Sequence, residues 1–208
     1  RLVDDHDRDG HLRPGAGVMF GFGFGFGRGA PPPPAVVASP AFPSTGLVAY
    51  WGFDDSLTDS VGSKVLTASG GNSYVTGKLG TKGLQLTATN TAGTSDATVN
   101  AVWAGTCSLC IWVKATTILA HNFVGADDFS VQYTALGTLD LLYDLAGGGG
   151  TASASASLSD DTWYHLAVTS DGGTNPPKLY LNGSLHATGD MSAAVDGAAT
   201  STAVGYGS

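Results

Sequence analysis

The chain has 208 residues, 42% apolar and only 12% charged, with 31 Gly, a composition that suits one β-rich domain plus an appendage better than a helical protein. All 17 acidic residues are Asp, and the net charge of −8 lies entirely in residues 46–208, where 13 Asp face five Lys and no Arg. That balance argues against a nucleic-acid partner, since phosphate contact needs clustered basic groups, and no run approaches the ~20 apolar residues of a membrane span.

In chain order, Asp5-His6-Asp7-Arg8-Asp9-Gly10 matches the first half of a calcium loop, but position 12 would be Ala16 and Pro14 stops an exiting helix. Met19 then reads as a candidate start. Phe20, Phe22, Phe24 and Phe26 alternate with Gly, putting every ring on one face of an extended strand. The segment 19–28 is either a self-assembly or docking strand or a disordered or extended leader. Ala30 to Pro43, with Pro31–Pro34, Pro40 and Pro43, is a polyproline spacer. Residues 1–45 are therefore expected to be leader and linker, and 46–208 the folded domain.

Within the domain, short strands are expected at Leu47–Phe53, Lys64–Ala68, Gly83–Ala88, Asp96–Trp103, Ser108–Ala115, Asn122–Gly125, Phe129–Thr134, Leu139–Leu145, Thr151–Leu158, Leu185–Thr188 and Ser201–Tyr206. Asp161 to Gly183 reads as a hairpin: period-2 alternation through Trp163–Ser170, a turn rich in Asp, Gly, Asn and Pro, a second strand Lys178–Leu181, then Asn182-Gly183. Strands at roughly 8–12-residue intervals, with no helix of normal length, predict an all-β, antiparallel two-sheet jelly-roll sandwich. Cys107 and Cys110 lie on one expected strand and point to opposite faces, too far apart for a disulfide and without a second Cys/His pair for zinc.

Three segments together resemble the laminin-G-like branch of the concanavalin A-like lectin/glucanase superfamily: Tyr50-Trp51-Gly52-Phe53-Asp54-Asp55 with Asp59-Ser60-Val61-Gly62, Cys110-Ile111-Trp112-Val113-Lys114, and Trp163–Thr169 with Leu179–Gly183. The resemblance covers residues 46–208 and implies carbohydrate or glycoprotein ligands. The family's closing Asp-Glu strand has no counterpart, because the chain contains no Glu. A C-terminal truncation is therefore expected, with a central strand edge left bare after Ala203-Val204.

Catalysis is not expected. The superfamily's glycosidases use two carboxylates on one strand, whereas Asp140 and Asp144 would stand ~13 Å apart along theirs, beyond even the ~6.5–9.5 Å of inverting enzymes. His121, His165 and His186 lack a triad context. The expected function is a non-catalytic carbohydrate- or glycoprotein-binding adhesion module, extracellular, at a cell surface or on a virion. Trp103, Tyr133, Tyr143, Asp127 and Asp128 are the candidate ligand contacts, and Asp55 and Asp59 the candidate Ca²⁺ ligands. The alternative is a structural virion or surface-assembly protein, because a Gly-Phe leader, a proline spacer and a lectin-like domain resemble the layout of bacteriophage tail-fibre proteins.

Overall fold

In this computed structural model the described residues are 45–87, 90–117, 120–127, 129–145, 148–173, 175–190 and 199–205. The Asp-rich run at 5–10, the Gly-Phe segment 19–28, the proline spacer and Asp128 lie outside them.

The strands are β1 (Thr67–Ser69), β2 (Asn72–Thr76), β3 (Lys82–Leu86), β4 (Thr91–Thr94), β5 (Thr106–Val113), β6 (His121–Ala126), β7 (Phe129–Tyr133), β8 (Thr138–Leu145), β9 (Gly148–Ser155), β10 (Tyr164–Asp171), β11 (Lys178–Leu181), β12 (Ser184–Thr188) and β13 (Thr202–Val204). They form a seven-stranded sheet in the order β1-β4-β13-β6-β7-β8-β9, a four-stranded sheet in the order β12-β11-β10-β5, and the hairpin β2–β3. Every pairing is antiparallel. This is the expected concanavalin A-like sandwich.

The core lies between the two sheets. From the large sheet it takes Val124, Phe129, Val131, Leu139, Leu141, Tyr143 and Ala152, and from the small one Leu166, Val168 and Leu179. Period-2 alternation puts these on one face of each strand, and each fully buried Leu, Phe or Val contributes roughly 1.5–3 kcal/mol. Tyr143 fits only because two glycines make room for it. A Cβ on Gly150 or Gly189 would meet the Tyr143 side chain at 2.2 or 2.1 Å.

The expected hairpin is two hairpins sharing β11. Asn182 (φ 51°) and Gly183 (φ 82°) turn β11 into β12, the pair of positive φ values that a type I′ turn requires. Asn182 also ties this turn to β10: its Oδ1 accepts from the His165 amide at 2.9 Å, and its own amide donates to the His165 carbonyl at 2.8 Å. Cys107 and Cys110 are free thiols on β5, the first half-buried and the second exposed.

Three expectations need correction. Asp96–Trp103 is helical, with one α-turn at Ala97–Asn100 running into a 3₁₀ turn at Ala101–Ala104. The Asp96 carboxylate caps it, accepting from the Thr98 and Val99 amides. Val99 and Trp103, four apart, are both buried, so the spacing that read as strand was a helix face. Leu47–Phe53 is not in a strand; the Tyr50 amide donates to the Asp59 carboxylate and its carbonyl accepts from Ser60. Finally, β13 is paired on both sides, with β4 and β6, so no bare edge follows Ala203-Val204.

Candidate functional site

In the seven-stranded sheet, register places residues from distant parts of the chain side by side. Ala68, Ala92, Val204, Val124, Val131, Leu141 and Ala152 form one row across all seven strands. This row faces the core: Ala92, Leu141 and Ala152 are fully buried. The adjacent row, one residue along each strand, is Thr67, Gly93, Ala203, Gly125, Ser130, Leu142 and Thr151. Successive strand residues point to opposite faces, so this second row faces away from the core. Its middle is made of very small residues, giving the face a shallow trough in which Gly93, Ala203 and Ser130 are half-buried and Gly125 is buried. There is no slack at Gly93, where a Cβ would lie 3.2 Å from both Ala203 Cβ and the Thr202 carbonyl.

Polar side chains flank the trough. Asn122, Gln132, Asp140 and Ser153 make a second outward row across β6, β7, β8 and β9. Asp140 is only 9% exposed and accepts a hydrogen bond from the Ser153 hydroxyl. At the β1–β4–β13 end the trough opens into a groove of about 420 Å³ lined by Val65, Thr67, Thr91, Gly93, Thr94, Ser95, Ser201, Thr202 and Ala203. Six of those nine residues carry a hydroxyl, each able to donate and accept.

Asp127 borders this groove from the β6–β7 turn. It accepts from the Thr200 amide at 2.7 Å, from the Thr200 hydroxyl, and from the Ser201 hydroxyl at 3.3 Å. These bonds, the Thr200 hydroxyl first, hold its carboxyl below the usual range. Behind the groove, Trp103 Nε1 donates to Thr202 Oγ1 at 2.9 Å and Thr202 Oγ1 donates to Asn100 Oδ1 at 2.8 Å. The Thr202 wall is thus anchored from within.

Of the aromatic candidates, Trp103 and Tyr143 are in the core, 4% and 2% exposed, and present no face to a ligand. Trp103 packs on Phe129 with ring centroids 5.3 Å apart, and Phe129 on Tyr143 at 6.1 Å. The Tyr143 hydroxyl donates to the Asp190 carbonyl, and burial pushes its pKa up. Tyr133 is half-buried, and its hydroxyl donates to the Ala156 carbonyl at 3.1 Å. Asp127 is the candidate that borders the groove.

Asp59 also has a structural role. Only 2% exposed, it accepts from the amides of Tyr50, Val61 and Gly62 at 2.7, 2.9 and 2.6 Å, with Lys64 Nζ at 3.8 Å. Burial works to raise its pKa, but the amide bonds outweigh it and hold the carboxyl below its ordinary value. Both oxygens are engaged, so of the two expected Ca²⁺ ligands only Asp55 has a carboxylate clear of amide bonds. Asp55 is exposed and pairs with Lys82 at 3.5 Å. Among the described residues no three His, Cys or acidic side chains gather as a metal site.

Asp140 and Asp144 sit four residues apart on β8, a spacing of ~13 Å along a strand. On the outer side of the four-stranded sheet His165 packs against Trp112, with centroids 5.1 Å apart. No helix among the described residues is long and apolar enough to cross a membrane.

Residues 80–208 match the laminin-G family model described as concanavalin A-like lectin/glucanases superfamily. No curated protein matches the chain. Among solved structures it is similar to domain 4 of AbnA, a GH43 extracellular arabinanase from Geobacillus stearothermophilus in complex with arabinotriose. That likeness has 23% identity and a TM-score of 0.53, over 77% of this chain and 83% of that one. It is also similar to domains LG4-5 of the mouse laminin alpha1 chain, at 14% identity and a TM-score of 0.39, over 49% of this chain and 32% of that one.

Proposed function

The chain belongs to the concanavalin A-like lectin/glucanases superfamily, and on that premise we propose that the outer face of its seven-stranded sheet is a non-catalytic carbohydrate-binding surface. The observation that carries this reading is the trough of Gly93, Ala203, Gly125 and Ser130 beside the polar row Asn122, Gln132, Asp140 and Ser153. Small residues let a sugar ring approach the sheet closely. Sugar hydroxyls donate and accept, and the flanking amides, hydroxyls and carboxylate supply both partners. Leu142 and Ala203 offer apolar surface to the C–H faces of a ring. The flanking carboxylates and the domain's acidic balance favour neutral sugars over anionic ones.

The carboxylates support a reading of binding without turnover. The chain has no Glu, and the ~13 Å strand spacing of Asp140 and Asp144 exceeds what either glycosidase geometry uses. A related fold that holds arabinotriose adds support for an oligosaccharide ligand. In this role the protein acts in adhesion outside the cell or at its surface.

The test is a glycan array with the full chain, followed by titration calorimetry on the best neutral oligosaccharide. The double variant Asn122→Ala/Gln132→Ala should bind at least roughly tenfold more weakly, since two hydrogen bonds of ~1 kcal/mol each are lost, with an unchanged circular dichroism spectrum. Retention of no glycan, or wild-type affinity in the double variant, would refute the reading.

A further inference from the structure

The outer edges of the two sheets are unequally protected. An edge strand presents unpaired N–H and C=O groups, and proteins blunt such edges with short strands, bulges, charges or proline. In the seven-stranded sheet, β1 is three residues long and β9 begins with three glycines. In the four-stranded sheet, β12 meets β11 across a register shift between Leu179 and Tyr180. The remaining edge, β5, has none of these features. Its eight residues, Thr-Cys-Ser-Leu-Cys-Ile-Trp-Val, contain no charge, Pro or Gly, and they pair with β10 at eight successive positions without a shift. Among the described residues β10 is its only ladder partner.

We propose that β5 is a self-association edge, pairing antiparallel with β5 of a second copy about a dyad at Cys110. A strand paired with its own copy must keep inner residues opposite inner ones, because a one-residue slip would turn the apolar set to solvent. A dyad at Cys110 satisfies this. Leu109 of one copy meets Ile111 of the other, and Cys107 meets Val113; of these, Leu109, Ile111 and Val113 already pack on the core. On the outer face Ser108 meets Trp112. The four-stranded sheets become one continuous sheet, and no residue of β5 itself is charged; the nearest charges are Lys114, which follows β5 and falls opposite Thr106, and Lys78, whose Nζ lies 5.1 Å from the Trp112 ring centroid. A second copy is favoured as the occupant because β5 complements itself on both faces, and because the isologous contact closes at two chains.

The dyad supplies its own reporter. Directly opposed residues on antiparallel strands have Cα atoms ~4.5–5.5 Å apart, within the ~4.4–6.8 Å range a disulfide spans. Diamide should therefore take two electrons and two protons from a pair of Cys110 thiols, leaving one S–S bond between copies. Sedimentation of the full chain should show a dimer. Cross-linking should survive Cys107→Ser and vanish in Cys110→Ser. Cys110 is exposed, so Cys110→Lys should leave the monomer folded by circular dichroism. It would set like charges directly opposite each other and weaken dimerisation at least roughly tenfold. A monomer at every concentration, or a dimer that Cys110→Lys leaves intact, would overturn the proposal.

Discussion

The two faces of the seven-stranded sheet are built by the same strands one residue out of step, and they do opposite work. The inner row, Ala68 to Ala152, is apolar throughout; the outer row, Thr67 to Thr151, is small, hydroxylated or glycine except at Leu142. On the inner face, size matters because side chains must fill the space between two sheets. On the outer face, in the proposed sugar-binding role, small side chains would let a ligand come close to the sheet. Stability and binding should therefore separate cleanly between neighbouring residues, a contrast that substitutions on one strand can break.

Leu141 and Leu142 are adjacent on β8 and point opposite ways. Leu141 is fully buried among core side chains, so Leu141→Ala should cost about 2–5 kcal/mol by urea unfolding, the range for cavity-forming core truncations. A loss below about 1 kcal/mol would mean that the inner row is not the close-packed seam described above.

Asp59 tests whether stability also lives outside the sheets. Its carboxylate gathers the amides of Tyr50, Val61 and Gly62, and so pins the irregular 47–53 segment to the following loop. Asp59→Asn removes the charge and points an NH₂ at amide donors, which should cost on the order of 2–3 kcal/mol with glycan binding unchanged. The same bonds fix a pH dependence. The folded-state pKa lies below its ordinary value, with burial opposing the shift and the amide bonds outweighing it. The stabilisation is therefore complete above the unfolded-state pKa, near ~4, and fades as pH falls through the folded-state value. Asp54, held down first by the Lys82 amide and then by Thr81, and Asp127, held down first by the Thr200 hydroxyl, act in the same direction. Melting temperature followed from neutral pH downward should drop in the acid limb, and less steeply for Asp59→Asn. Parallel acid limbs would show that Asp59 is not the linked group.

The fold was legible because period-2 alternation and the Asn182-Gly183 turn are local signals. The helical turn at 97–104 was not, because β-branched and aromatic residues at 99, 102 and 103 imitate a strand until the Asp96 cap is seen. The aromatic site candidates misled for a related reason. Trp103 and Tyr143 satisfy their polar atoms inside the molecule, on Thr202 and Asp190, and are then free to serve as core. No single residue announced the trough. Gly93, Gly125, Ser130 and Ala203 become a surface only through a register that spans more than a hundred positions, and each alone is an unremarkable small residue.

Leu142 gives the smallest stability effect and the sharpest reading. It is half-exposed in the outer row, between Ser130 and Thr151, and is the largest side chain there. Leu142→Ala removes little that is buried, so its stability should stay within about 1 kcal/mol of wild type. The same change strips apolar surface from the trough and should weaken glycan binding several-fold in calorimetry, at roughly 25 cal/mol per Å² of lost contact. Paired with Leu141→Ala, it makes a two-way test on adjacent residues: the inner substitution should lower stability and spare the affinity of the folded fraction, and the outer one should do the reverse. If both lower stability alone, the outer row is structural and the sugar lies elsewhere on the domain.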